Sequence, residues 1–297
     1  MNGLNFADCI GCGLCVLGCP AYEETGFDAL TARGRNKALQ AGLAAEDMVE
    51  SIWACTLCGY CDAICPSHVN NVPIVLHLRH ELAGQAAARG DAPRLGATPR
   101  PQAAVRPSLV LGCTIRERAP QLIPSIHEFL RRIGRPTEPA DEGCCGSLAV
   151  EAGLAIGARA AAGVVADPVC LEQYDAEFLG VLAMQHLDHF DLKRPFYYFA
   201  PHRLVNRDHL RMYPLYDALR RRFDCETNID LNRLARSTSA GSVQGLSGRD
   251  ARDIRAAVER LLTHSRADRI ITCSPADYLA FRMYSGRETR FITECLR

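Results

Sequence analysis

Two runs of cysteine set the strongest limit on what this chain can fold into. Cys9, Cys12, Cys15 and Cys19 precede Pro20, and Cys55, Cys58, Cys61 and Cys65 precede Pro66. Each run reads C-x2-C-x2-C-x3-C-P, the spacing that binds [4Fe–4S] clusters in two-cluster ferredoxins. Three closely spaced thiolates wrap one cube, while the fourth is turned away at the proline and reaches the other cluster. The spacing therefore predicts one cluster on Cys9, Cys12, Cys15 and Cys65, and a second on Cys55, Cys58, Cys61 and Cys19. Zinc or a disulfide framework is the competing reading, but zinc sites take paired ligands rather than runs of four.

The rest of the composition narrows the setting. The chain carries 15 cysteines in 297 residues. Its start, MNGLNFADC, lacks the basic and apolar stretches of a secretory signal, so a reducing, cytoplasmic compartment is expected and thiols or metal ligation are favoured over disulfides. Basic and acidic residues balance at 34 each, which leaves no broad basic field for nucleic acid or anionic lipid. No apolar run reaches the ~18–20 residues of a transmembrane segment.

Between the runs, Leu30, Leu39, Leu43, Met48 and Val49 recur among Ala, Arg and Glu, a helical pattern. Gly42 divides it into two short helices, with Glu46 or Asp47 near the start of the second. Another helix is expected over 73–88, with Val75, Leu78 and Leu82 on one face and His77 and His80 as solvated or capping residues. The segment ETGFDALTARGRNKAL after the first run, followed by the second run and this helix, resembles the ferredoxin-type subunit of heterodisulfide reductase. It equally resembles the N-terminal domain of the iron–sulfur subunits of glycolate oxidase and anaerobic glycerol-3-phosphate dehydrogenase. An α-helical two-cluster ferredoxin domain is thus expected over 1–83, followed by a Pro/Gly/Ala/Arg-rich linker over 84–107.

From Ser108 onward the chain reads as a degenerate duplication of α/β type. An apolar strand ending at Cys113 and a helix bearing Leu122, Ile126, Phe129 and Leu130 are echoed by PFYYFAPH and a helix ending in three arginines. GCCGSLAVEAG is echoed by RSTSAGSVQG, and GVVADPVCLEQY by RIITCSPADYLAF. Modules are expected over 108–192 and 193–297, related by a pseudo-twofold axis.

Cys113, Cys144, Cys145 and Cys170 resemble the cysteine-rich CCG module found in another subunit of heterodisulfide reductase. With the first resemblance, this implies the two subunits fused in one chain. It also implies a third cluster on these four cysteines, in a CCG domain whose second module is degenerate. Asp167 stands where the CCG pattern has a further cysteine. The non-cubane cluster of the family's CCG subunit uses five cysteines per module, so an ordinary [4Fe–4S] cubane is expected here; the non-cubane form, and zinc or free thiols, remain alternatives. In the second module His202 takes the first cysteine position, Ser237 and Thr238 the paired ones, Cys273 is retained, and Ala276 ends the last motif. Asp167 and His202 could touch iron, but soft thiolates carry such bonding and neither is assigned as a ligand. A thiol–imidazole pair of Cys273 and His202 is the sharper alternative to a structural second half that covers the first cluster. Cys225 and Cys295 are expected to be small buried hydrophobes, and His186 and His189 to be plain helical residues.

No dinucleotide fingerprint and no phosphate-binding loop accompany the thiolates. The chain is therefore expected to carry electrons and to hold no catalytic residues. Its place would be as a subunit of a heterodisulfide-reductase-like or flavin-dependent dehydrogenase complex, with a flavoprotein partner. Disulfide reduction at the CCG cluster is the alternative.

Overall fold

A computed structural model describes residues 3–88, 108–139, 144–154, 160–242 and 251–297. The first part is helical. α1 (Pro20–Thr25) begins at a proline that presets the first turn, with Cys19 as its N-cap. α2 (Ala32–Gln40) starts at Thr31, whose hydroxyl accepts from Gly34 N. Gly42 lies beyond its end at φ 87°. A 3-10 turn over Ala45–Met48 follows, with Asp47 accepting from Ala44 N at 2.9 Å, and leads into α3 (Val49–Ala54). The expected pair of short helices is present.

After α4 (Tyr60–Ala63), Asp62 caps the long α5 (Asn71–Ala88) by accepting from Asn71 N and Val72 N. Val75 and Leu78 of α5 pack with Leu39, Met48 and Ile52 in a small core of their own. α5 runs through 84–88, where the linker was expected to begin; this stretch is rich in Ala and has no proline, so nothing in it stops the helix. The rest of that segment, 89–107, lies outside the described residues.

The second part is α/β with two parallel sheets. β1 (Leu109–Val110), β2 (Ala160–Val165) and β3 (Tyr174–Phe178) form one, in the order β1-β2-β3. A five-residue π turn after Cys113 leads through a 3-10 turn to α6 (Ile123–Arg132), and the short α7 (Ser147–Glu151) follows the paired cysteines. β4 (Phe196–Phe199), β5 (Cys225–Thr227), β6 (Arg269–Thr272) and β7 (Glu288–Phe291) form the second sheet in the order β5-β4-β6-β7. Helices α9 (His202–Arg207), α10 (His209–Arg222), α11 (Ala251–Leu262) and α12 (Pro275–Tyr284) accompany it, and α8 (Leu179–Gln185) lies between the sheets in sequence.

After β2 a single 3-10 turn over Cys170–Gln173 leads straight into β3. The equivalent position after β6 does open a helix, with Pro275 in its first turn. One apolar cluster runs from Leu109 to Cys295 and takes in residues of both sheets, so the two sheets share a core.

Candidate metal centres

The two cysteine runs turn left-handed at the same positions. In the first, Gly11 and Gly13 take φ 74° and 82°; in the second, Leu57 and Gly59 take 55° and 77°. The left-handed residue thus falls two and four places after the first cysteine of each run. Wrapping the chain around one point requires these turns, and in Leu57 the second run accepts them with a bulky residue that disfavours them.

The loops close on two chambers. Cys9, Cys12, Cys15 and Cys65 line one, together with Arg33 and Asn36 of α2; about 340 Å³ of it is free of atoms, counting the part open to solvent. Cys19, Cys55, Cys58 and Cys61 line the other, with Arg35 and Tyr60, enclosing about 360 Å³ on the same measure. Cys15 borders both. Each chamber takes three sulfurs from one run; the first adds Cys65 from the other, and the second adds Cys19 and Cys15.

α2 holds the first loop by its carbonyls: Lys37 Nζ donates to Cys9 O at 2.9 Å, and Gln40 Nε2 donates to Phe6 O, Ala7 O and Cys9 O at 3.0 Å. Val69 N donates to Cys65 Sγ at 3.4 Å. Burial pushes the thiols up, Cys15 to about 11 and Cys58 to about 12, with Cys61 and Cys19 also raised. Desolvated sulfurs this close together repel one another as anions, and a bound iron supplies the positive charge that holds them as thiolates. The donor set, soft and entirely sulfur, fits an iron–sulfur cube.

The second loop also carries the contact with the α/β part. Arg79 of α5, fully buried, donates to Ile52 O, to Cys55 O and to Glu151 O, and lies 4.7 Å from the Trp53 ring centroid. Arg203 of α9 donates to Thr56 O at 3.2 Å and pairs with the buried Glu151. Asn206 Nδ2 bridges Cys58 O and Ala235 O at 3.0 Å each. Tyr60 Oη donates to Asp230 Oδ2 at 2.7 Å, and Arg236 pairs with Glu23. No signal in the sequence points to these roles: a buried arginine on an amphipathic helix looks like any solvated one until its carbonyl partners are in place.

In the α/β part, Cys113, Cys144, Cys145 and Cys170 come together from three loops. The Cys144 thiol neighbours those of Cys113 and Cys145, the Cys145 thiol neighbours that of Cys170 and donates to Ser147 Oγ at 3.4 Å, and all four are free thiols. Protons donated by Cys113 and Cys145 hold the Cys144 thiol well below its ordinary value, while Cys113 and Cys145 are pushed up. A Cβ on Gly112 (φ 84°) would stand 3.0 Å from Cys170 Sγ, so the backbone approaches the sulfurs closely here. Asp167 is buried beneath them, pushed up to about 6 by desolvation, with Oδ1 accepting from Val169 N at 2.9 Å.

The second half differs from the sequence reading in one register. β2 ends at Val165 and β6 at Thr272, so Cys273 matches Ala166, Pro275 matches Pro168, and Asp277 rather than Ala276 matches Cys170. Cys273 and His202 each have other partners. Tyr198 Oη donates to Cys273 Sγ at 3.3 Å, whereas His202 Nε2 and Ser237 Oγ are 3.1 Å apart. Cys273 is a small core residue under Gly180, where no Cβ would fit. Cys295 is buried and accepts from Arg269, and Cys225 is half-buried on β5. The His186 and His189 rings are 5.9 Å apart, edge to face. Among the described residues no three Cys, His, Asp or Glu side chains converge as on a single ion.

Residues 5–69 match the family described as the 4Fe-4S dicluster domain, which supports [4Fe–4S] clusters in this region. The chain is also similar to proteins named fumarate reductase iron-sulfur subunit. The one from Escherichia coli O6:H1 is 33% identical over 75 residues, covering 22% of this chain and 31% of the relative. The one from Haemophilus influenzae is 35% identical over 77 residues, covering 22% and 29%. The chain thus spans less than a third of the length of these curated relatives. The likeness supports an iron–sulfur electron-transfer protein. Among the described residues no helix is long and apolar enough to cross a membrane.

Proposed function

We propose that this chain is an electron-transfer subunit of a redox complex of heterodisulfide-reductase-like or flavin-dependent dehydrogenase type, with a flavoprotein as partner, working in the cytoplasm. Cys9, Cys12, Cys15 and Cys65 hold one [4Fe–4S] cluster, and Cys19, Cys55, Cys58 and Cys61 hold a second. Cys113, Cys144, Cys145 and Cys170 hold a third [4Fe–4S] cluster in a CCG domain of two modules, 108–192 and 193–297. The observation that carries the reading is the pair of cysteine-lined chambers that share Cys15, the second of them tied by Arg79, Arg203 and Asn206 to the part that holds the other four sulfurs.

Clusters of this kind exchange single electrons. The protein holds them in place and donates hydrogen bonds to the loops that carry them. The relatives named above are themselves called iron–sulfur subunits, and the role of subunit is carried over on that ground.

An anaerobic redox titration followed by EPR tests this. Three signals that cycle reversibly, with no cleavage of a disulfide substrate driven by reduced viologen, are expected. Steady viologen-driven disulfide turnover would make the chain a catalytic reductase instead. Clusters that do not cycle would reduce it to a scaffold.

A further inference from the structure

The two halves of the α/β part can be compared position by position. Cys113 lies three residues beyond β1 and His202 three beyond β4; Cys170 lies five beyond β2 and Asp277 five beyond β6. The paired cysteines Cys144 and Cys145 are followed by Gly146 at φ 82°, and Ser237 and Thr238 by Ser239 at φ 64°. Serine rarely adopts that conformation, so the second half retains the left-handed turn of the first without its glycine.

The contacts correspond as well. His202 Nε2 and Ser237 Oγ lie 3.1 Å apart and Thr238 donates to Asp277, where the first half has Cys113 beside Cys144 and Cys145 beside Cys170. All four residues of the second set are buried. Their amino-acid types give no hint of a shared site; only the position of each beyond its strand and the pairing of its neighbours show it.

We infer that His202, Ser237, Thr238 and Asp277 occupy a second ligand frame of the same geometry as that of Cys113, Cys144, Cys145 and Cys170. In it two side-chain hydrogen bonds tie the three loops that sulfur and iron tie in the first half, and the frame takes up a [4Fe–4S] cluster once it is given four thiolates. This rests on the reading of the first set as cluster ligands. The physical reason is economy of change. Hydroxyl, imidazole and carboxylate are poor donors to iron–sulfur cubes, but they satisfy one another as hydrogen-bonding pairs in a buried site, so the loops keep their places without metal.

The test is the combined variant His202→Cys, Ser237→Cys, Thr238→Cys, Asp277→Cys in the full chain, assembled anaerobically with iron and sulfide. Iron and acid-labile sulfide should rise by about a third over wild type, from about twelve to about sixteen irons per chain, with one added EPR signal. Unchanged iron in a variant with wild-type circular dichroism and wild-type signals would overturn the inference while leaving the three-cluster reading intact. A wild-type content of about eight would instead overturn the reading of the first set, and with it the inference that rests on it.

The reverse graft guards against misfolding. Cys113→His, Cys144→Ser, Cys145→Thr, Cys170→Asp should fold with wild-type circular dichroism and lose a third of the iron. If it fails to fold while Cys144→Ser alone folds, the two frames are not equivalent and the inference fails.

Discussion

In the helical part eight cysteines arrive in two local runs, each wrapped by left-handed residues at fixed places, and each chamber takes sulfurs from both runs. In the α/β part four cysteines arrive from three loops separated by strands and helices, and nothing local fixes their meeting. The first arrangement is set by a dozen residues of chain. The second depends on a whole sheet being folded, on Gly112 letting the backbone close on Cys170, and on the fit of one half against the other. Mutations should therefore act differently in the two parts, and the following outcomes are ordered from the largest effect to the smallest.

Cys144→Ser removes a sulfur that touches both Cys113 and Cys145. It should abolish the third cluster, taking about a third of the iron, and leave both signals of the helical part. Iron analysis with EPR checks this; loss of all three signals would show that the two parts do not assemble independently.

Arg203→Met removes one of the links between the parts, the pairing of the Arg203 guanidinium with the buried carboxylate of Glu151, which is 1% exposed. An uncompensated buried carboxylate costs about 3–5 kcal/mol, measurable by denaturant unfolding under anaerobic conditions. A change below about 1 kcal/mol, the range of exposed ion pairs, would mean that the contact is peripheral.

Gly153→Ala acts on the same seam. Gly153 holds φ 86° and its Cα hydrogens face the Arg79 carbonyl at contact distance. Strain and overlap together should cost about 2–3 kcal/mol, with cluster content unchanged.

The smallest effect concerns pH. Burial, reinforced by Arg203 and Arg207, lowers His202 from its ordinary 6.5 to about 3. Its neutral ring faces Ser237. A folded value below the unfolded one means that stability is fully present above 6.5 and falls as pH drops toward 3, because only the unfolded chain takes up the proton. Between pH 7 and 5 wild type should lose about 2 kcal/mol relative to His202→Gln. Parallel pH dependence of the two proteins would contradict a buried neutral imidazole.

The difference between the parts also explains how much is legible in advance. The two runs and the short helices between them are written in local spacing, and cysteines of both runs line each chamber. Cys113, Cys144, Cys145 and Cys170 are legible only as a pattern, since the loops between them give no local rule. Asp277 is missed by one residue because Cys273 draws the alignment toward a thiol, whereas the strand end sets the register. Arg79, Arg203 and Glu151 carry no mark at all in the sequence. Burial of a charge is decided by the surface that arrives to cover it, and that surface lies far away along the chain.

The measurement closest to the central claim is the content of iron, acid-labile sulfide and zinc in protein made and kept without oxygen. About twelve irons and as many sulfides per chain, with no zinc, are predicted. A colourless preparation, or one that carries zinc in their place, would contradict the account at its root.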